Sequence, residues 1–408
     1  MVSNARIPSD EELRWITTRA VAEIIPREEF VAALRSGRAL RLKMGFDPSA
    51  PDLTLGHAVG LRKLRQLQDL GHTIVVIVGD WTARIGDPSG QSKTRPMLTA
   101  EEVKVNAETY LRQFSKVVDR ELTEIRWQSE WFDRFTLTTI VGLAAKFTVN
   151  QMLKREDFAQ RFSAQKPIGV HELFYPLLQA YDSVAVQADV EFGGTDQTFN
   201  LLVGRELQPE FGQKPQSVFT VPLLVGTDGV KMSKSQGNYI ALTDQPHDMY
   251  GKVMSITDPL VGDYSELLTD VPDEALAGIR TAVKKGGAGA RDAKMRLARE
   301  IVSQFHGTEA AEEAEDQWRR VFSKGEVPDE ARELPVAFNG AMTAEINLAE
   351  ALVAAKLVGS NTDVRRLLSQ GAVEVDGERV EMARVTVRKD AIIRVGKHRF
   401  ARVVDADR

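Results

Sequence analysis

Residues 73–80 read TIVVIVGD, with an apolar and largely β-branched run from Ile74 to Val78 that has no polar side chain to mark a solvent face. Such a strand must be covered on both sides, as interior strands of parallel sheets are. The preceding residues supply the rest of the unit. In Leu40–Phe46, Leu40, Leu42 and Met44 alternate with Arg41 and Lys43, which predicts a strand. The turn-rich DPSAPDLTLG follows. Residues 57–70 then place Ala58, Leu61, Leu64, Leu67 and Leu70 at helical spacing, and Gly71 is a natural stop. Strand, loop, helix and strand form a βαβ unit and predict an α/β fold built on an open parallel sheet.

With 408 residues the chain is long enough for several domains. Residues 1–225 are expected to form the sheet domain, with a helical insertion at about 100–185 that opens on the capping box Thr99-x-x-Glu102. Strands are expected to resume near Val184–Phe192 and Ser217–Val225. Residues 226–325 read as a polar, glycine-bearing loop and a helical domain. Residues 326–344, with Pro328 and Pro335, read as a linker. Residues 345–408 read as a small α+β domain, with two helices and a Val373–Val380 hairpin that turns at Asp376-Gly377.

Composition removes several kinds of chemistry. The chain has no cysteine, so disulfides, thiolate metal sites and a cysteine nucleophile are excluded. Its six histidines form no HExxH pattern, so no metal site is expected. No apolar run approaches the ~20 residues of a membrane span. The N-terminal MVSNARIPSDEELRW lacks a secretion signal, so a cytoplasmic location is expected. The net charge of −5 excludes a globally cationic nucleic-acid binder. Charge is nevertheless concentrated near the C-terminus, where Arg384–Arg402 carries seven basic residues against one acid.

Two motifs carry the chemistry. In DGVKMSKS (228–235), two lysines three apart sit in a glycine- and serine-bearing loop, a cationic clamp suited to a polyphosphate. In Thr54-Leu-Gly-His57, a histidine stands at a helix N-terminus, where a phosphate meets both an N–H donor and the helix field. A lone KxxK is usually a solvated loop and a lone N-terminal histidine is usually just polar. Together, and in this order, they resemble the KMSKS and HIGH signatures of class I aminoacyl-tRNA synthetases. GFDPSAPDLTLGH, GDWTARIGDPSGQSKTR, YPLLQAYD and GGTDQTFN narrow the resemblance to bacterial tyrosyl-tRNA synthetases, over essentially the whole chain. NTDVRRLLSQGAVEVDGERV resembles an S4 RNA-binding domain.

The resemblance implies a Rossmann-like sheet, activation of L-tyrosine by ATP, transfer to the 3′ end of tRNA(Tyr), and a homodimer. It implies Mg²⁺ with the ATP phosphates and no prosthetic group. It assigns His57, Thr54, Lys231, Lys234 and Arg95 to catalysis, and Gly45, Asp47, Ser49, Gly56, Gly194 and Asp196, with His57 and both lysines, to ATP. Asp87, Tyr175, Gln179 and Gln197 would hold the ammonium and carboxyl end of tyrosine, and Asp182 would meet its phenol. Arg365, Arg366, Arg388 and Lys389 would contact RNA. Tyr175, Gln179 and Asp182 stand at i, i+4 and i+7, so one helix face can present all three. Three departures are visible: Thr54 replaces the first histidine of HIGH, Gln91 replaces a loop lysine beside Lys93, and Lys43 stands where some members have a tyrosine.

The nearest rival is a tryptophanyl synthetase, against which Asp182 argues, since an indole site has no use for a buried carboxylate. A non-catalytic RNA-binding protein is the rival of another class, and the intact motif set argues against it. If the lysines face phosphates, Lys231→Ala and Lys234→Ala should each slow adenylate formation by about 10²–10³ while tyrosine binding persists. Pre-steady-state adenylate formation with parallel tyrosine titrations checks this.

Overall fold

The computed structural model describes residues 4–49, 51–87, 98–230, 232, 237–323, 332–355, 357–396 and 399–406. Among them, β1 (Glu23–Ile25), β2 (Arg41–Phe46), β3 (Thr73–Val78), β4 (Thr123–Trp127), β5 (Val190–Gly194) and β6 (Ser217–Val221) form one sheet in the order β1-β6-β5-β2-β3-β4. β2 to β6 run parallel, and β1 pairs antiparallel with β6 at the edge. Ile74, Val75 and Ile77 of β3 are fully buried, as the unbroken apolar run requires. The helix after β2 spans Leu55–Gln68 and buries Leu55, Ala58, Leu61, Leu64 and Leu67.

β4 lies inside the stretch expected to be a helical insertion. It pairs with β3 from Ile74↔Thr123 to Val78↔Trp127, so the Ala100–Phe114 helix is a crossover within the sheet fold. Its sequence, TEIRW, is half-buried at the sheet edge and carries little apolar signal. Helices occupy the chain from Ser129 to Val186 instead. The strand expected near Val184 begins only at Val190, because Val184 and Val186 belong to the last turn of the Tyr175–Val186 helix. That helix ends on Gln187 in the left-handed conformation, φ 51°.

Beyond β6 the chain is helical at Pro246–Ser255, Leu260–Leu268, Asp273–Lys285, Gly287–His306 and Thr308–Ser323. These helices do not separate at residue 226. Arg19 reaches the Glu266 carbonyl and Asp273, and Arg62 pairs with Asp270 and Gln304. Residues 1–312 form one compact unit and 313–408 a second.

The second unit has its own core, including Leu334, Leu348, Leu352, Val364, Val373, Ile393 and Val403. Its sheet order is β10-β9-β12-β13-β7, where β7 is Arg332–Val336, β9 Val373–Val375, β10 Glu378–Arg379, β12 Ile392–Val395 and β13 Arg399–Asp405. β8 (Thr343–Asn347) and β11 (Arg384–Arg388) make a separate pair. The segment expected to be a linker therefore contributes β7, paired parallel with β13. Pro335 marks an edge strand here and not a disordered connector, because an edge tolerates a missing N–H. The β9–β10 hairpin turns on Asp376 and Gly377, both at positive φ. Ser360 caps the Asn361–Ser369 helix by accepting from the Asp363 N–H.

Leu352 is fully buried in this core. Leu352→Ala should destabilise the second unit by about 2–5 kcal/mol and leave the first unit's transition in place. Denaturant unfolding followed separately for the two units checks this.

Candidate active site

β2 has β3 on one side and β5 on the other, and the connections that leave the carboxyl ends of β2 and β5 run in opposite senses, to β3 and to β6. That is where an open parallel sheet forms its ligand crevice. A cavity of about 880 Å³ lies there. Gly45, Asp47, Ser49, Thr54, Gly56, His57, Asp87, Tyr175, Gln179, Asp182, Gly194, Asp196 and Gln197 all line it. Arg95, Lys231 and Lys234 fall outside the described residues, as do Gln91 and Lys93, but Met232 of the KMSKS string also lines the cavity. Arg365, Arg366, Arg388 and Lys389 are exposed on the second unit. Three of them pair with acids: Arg366 with Asp363, Arg388 with Asp376 and Lys389 with Asp405.

The two sequence-distant motifs are tied together by backbone. Leu55 N–H donates to the Ile240 carbonyl and Leu242 N–H to the Leu53 carbonyl. The loop base is closed where Thr227 N–H donates to the Asn238 carbonyl and Asn238 Nδ2 to Asp228. His57 Nδ1 accepts the Thr54 N–H at 3.1 Å and lies 3.0 Å from the Thr54 hydroxyl. An Nδ1 that accepts leaves the proton of the neutral ring on Nε2, the tautomer that can donate to a phosphate. Thr54 thus orients His57 from the helix N-terminus, a role its sequence position did not reveal.

At the first strand end, Asp47 accepts from Thr82 Oγ1 at 2.6 Å and from the Tyr175 hydroxyl at 2.9 Å. A Cβ on Gly79 would collide with Asp47 and Thr82, so glycine is required for this approach. Burial, with Asp47 adding to it, raises the Tyr175 phenol well above its ordinary pKa and keeps it a donor. Tyr175, expected in the tyrosine set, and Asp47, expected in the ATP set, therefore share one wall.

A second network closes as a ring. Gln197 Nε2 donates to Asp87 at 2.9 Å, Asn200 Nδ2 to Gln197 Oε1 at 2.9 Å, and Arg155 to both Asn200 and Asp87. Arg155 is buried and also pairs with Asp157 at 2.8 Å. Neither Arg155 nor Asn200 emerged from the sequence, because nothing local marks an arginine before a short helix as a partner of Asp87.

Asp182 is buried in the cavity wall. One oxygen accepts from Gln128 Nε2 at 2.8 Å and the other from Trp131 Nε1 at 3.1 Å. Burial raises its pKa to about 7, opposed by the nearby Lys43 charge and by these two donors. Gln128 is held in turn by the N–H groups of Trp81 and Thr82. Gln128 directly follows β4, the strand concealed in the expected insertion, so the sequence offered no sign of it. Trp131 is buried and supports Asp182. Lys43 does not line the cavity; its ammonium pairs with Glu191 beneath it.

The chain is similar to known proteins along nearly its whole length. Residues 35–323 match the family model of class I tRNA synthetases (W and Y), and 327–403 that of the tyrosine–tRNA ligase SYY-like C-terminal domain. It is 54% identical to a tyrosine–tRNA ligase of Dehalococcoides mccartyi (strain CBDB1), over 97% of this chain and 99% of that protein. It is 51% identical to one of Thermotoga maritima, over 96% and 97%. Among solved structures, the L-tyrosine complex of tyrosyl-tRNA synthetase from Archaeoglobus fulgidus superposes with a TM-score of 0.61 at 24% identity, covering 75% of this chain and 99% of that one. A C-terminally truncated mitochondrial enzyme from Aspergillus nidulans gives 0.62 at 20% identity, over 76% and 98%; both show the fold. A crevice at the sheet's switch point, lined by the family's motifs and matched by relatives at about half identity over nearly every residue, places this chain in the tyrosine–tRNA ligase family of class I aminoacyl-tRNA synthetases.

Proposed function

We propose that the chain activates L-tyrosine with ATP in this cavity and passes the tyrosyl group to the 3′ end of tRNA(Tyr). A tyrosine carboxylate oxygen attacks the α-phosphorus, the bond to the bridging oxygen breaks, and pyrophosphate leaves with the electron pair. The nucleophile is already charged, so no general base is needed, and catalysis rests on positioning and charge stabilisation. His57, through Nε2–H, and the N-terminus of its helix face the phosphates. Lys231 and Lys234 close on the leaving pyrophosphate, and Arg95 supplies a further cation. Asp196 takes the ribose, while Gly45, Gly56 and Gly194 let backbone approach the nucleotide.

Tyr175, Gln179 and Asp182 run along one helix, with about 10 Å of rise from first to last. Asp87, Tyr175 and Gln179 take the ammonium end, Gln197 borders the carboxyl, and Asp182 takes the phenol. The observation that carries the reading is Asp182: a buried carboxylate whose two donors leave it ready to accept one more hydrogen bond, from a phenol O–H. Mg²⁺ accompanies ATP and is held by phosphate oxygens and water. Among the described residues, no cluster of three or more His, Asp or Glu side chains could hold it. Exposed Arg365, Arg366, Arg388 and Lys389 contact tRNA, and the enzyme acts in the cytoplasm. No helix among the described residues is long and apolar enough to cross a membrane. Tyrosine-dependent exchange of pyrophosphate into ATP tests the activity directly; exchange driven by tryptophan instead would refute it.

Surface chemistry supports the homodimer. Leu137, Val141, Val149, Phe162 and Val170 are all exposed, Leu137 at 78%. Such a concentration of exposed apolar side chains between positions 137 and 170 favours a second copy of the chain as its cover. Val141→Asp should shift the protein toward monomer in sedimentation equilibrium.

Asp182 also sets a pH dependence. Below about 7 it is protonated in the folded site and is a poorer acceptor for the phenol. Tyrosine affinity should therefore rise between pH 6 and pH 8 and level off above. Asp182→Asn should abolish this slope and narrow the tyrosine-to-phenylalanine preference by roughly 10- to 100-fold. Equilibrium binding across pH and pyrophosphate exchange with each amino acid check both parts.

A further inference from the structure

Directly beneath the cavity lies a charged pair that the chemistry above does not use. Lys43 of β2 and Glu191 of β5 are cross-strand partners in the parallel sheet, and both are fully buried. Lys43 Nζ spends its three N–H donors on Glu191 Oε1 at 2.8 Å, Ser183 Oγ at 2.9 Å and the backbone carbonyl of Gln179 at 2.8 Å. Glu191 is equally saturated. Oε1 also accepts from Gln179 Nε2 at 3.1 Å, and Oε2 accepts from Ser183 Oγ and Gln216 Nε2. A Cβ on Gly204 would press on Glu191, Ser183 and Gln216, so a bare backbone there makes room for the cluster.

Stability alone does not account for such a pair, since apolar residues of the same volume usually serve a core as well or better. Its contacts suggest a different purpose. Lys43 holds the backbone of Gln179 and Glu191 holds its side chain. Gln179 is the cluster member that lines the cavity. A carboxylate paired to an ammonium can only accept, so Gln179 must turn its NH₂ toward Glu191. Its carbonyl oxygen is then the end offered to the ligand. Rotating the amide would set two acceptors against each other in a dry site, at the cost of an unmade buried hydrogen bond.

We propose that the Lys43–Glu191 pair is a positioning device that locks the Gln179 amide with its oxygen toward the cavity, making a cationic amine a required feature of the ligand. The proposal rests on the reading of the cavity as a tyrosine site. Glu191 acts through Gln179 and touches no substrate. Binding energy from such a contact is shared by ground and transition states, so its loss weakens affinity more than turnover at saturation.

The test compares two ligands on the full-length chain: L-tyrosine and 3-(4-hydroxyphenyl)propionate, which has the same phenol and carboxylate but no amine. The double variant Lys43→Gln/Glu191→Gln removes the ammonium that holds an acceptor at Glu191 Oε1, so residue 191 can donate as well as accept and the Gln179 amide is free to turn. It should weaken L-tyrosine by roughly 10- to 100-fold, leave the des-amino compound unchanged, and retain kcat for pyrophosphate exchange at saturating tyrosine. Lys43→Met/Glu191→Gln likewise leaves no buried charge and should show the same selective loss if the first variant does not fold. Equal weakening of both ligands, unchanged tyrosine affinity, or failure of both variants to fold would overturn the proposal. Failure of the unaltered protein to bind tyrosine would instead overturn the reading of the cavity, so the two failures are distinct.

Discussion

The pairing of β2 with β3 on one side and β5 on the other is the constraint on which the site depends. Parallel pairing sends the carboxyl ends of β2 to β6 to one edge of the sheet. There Asp47 follows β2, Gly79 and Thr82 follow β3, and Asp196 and Gln197 follow β5. These residues are far apart in the chain, and one crevice collects them. The same pairing aligns Lys43 with Glu191 and so determines what lies under the floor of the cavity.

The walls are built from polar groups held before any ligand arrives. Asp182 is gripped by Gln128 and Trp131, Asp87 by Gln197 and Arg155, and Asp47 by Thr82 and Tyr175. Gln128 and Trp131 are neutral donors, one to each oxygen, so Asp182 keeps acceptor capacity for a substrate. In a partly desolvated site these fixed dipoles act more strongly than they would in water and need little reorganisation during reaction. The Lys43–Glu191 cluster extends that order one layer further down. These fully buried polar residues therefore support the binding surface without being part of it.

Much of this was legible in the sequence because it is written in local patterns. TIVVIVGD required an interior strand, the 57–70 spacing a helix, Asp376-Gly377 a turn and Ser360 a cap. KMSKS and the turn before His57 are contiguous strings, and the helical spacing of Tyr175, Gln179 and Asp182 placed them on one face. β4 and β7 were missed because short edge strands carry little hydrophobic alternation, and Pro335 is as compatible with an edge as with a linker. The separation expected at residue 226 failed for a related reason: the contacts from Arg19 and Arg62 that bind the helices to the sheet leave no local trace.

What the sequence determined by itself is the periodicity of its elements, the family and most of the polar residues that line the crevice. Each is a property of residues near one another in the chain. Only the tertiary structure decided which groups hold those residues in place. Gln128 and Trp131 reach Asp182 from more than fifty positions away, Arg155 reaches Asp87 from 68, and Lys43 reaches Gln179 from 136. It also decided that Lys43 turns under the cavity and not into it, because Glu191 on the neighbouring strand satisfies a buried ammonium and open space does not.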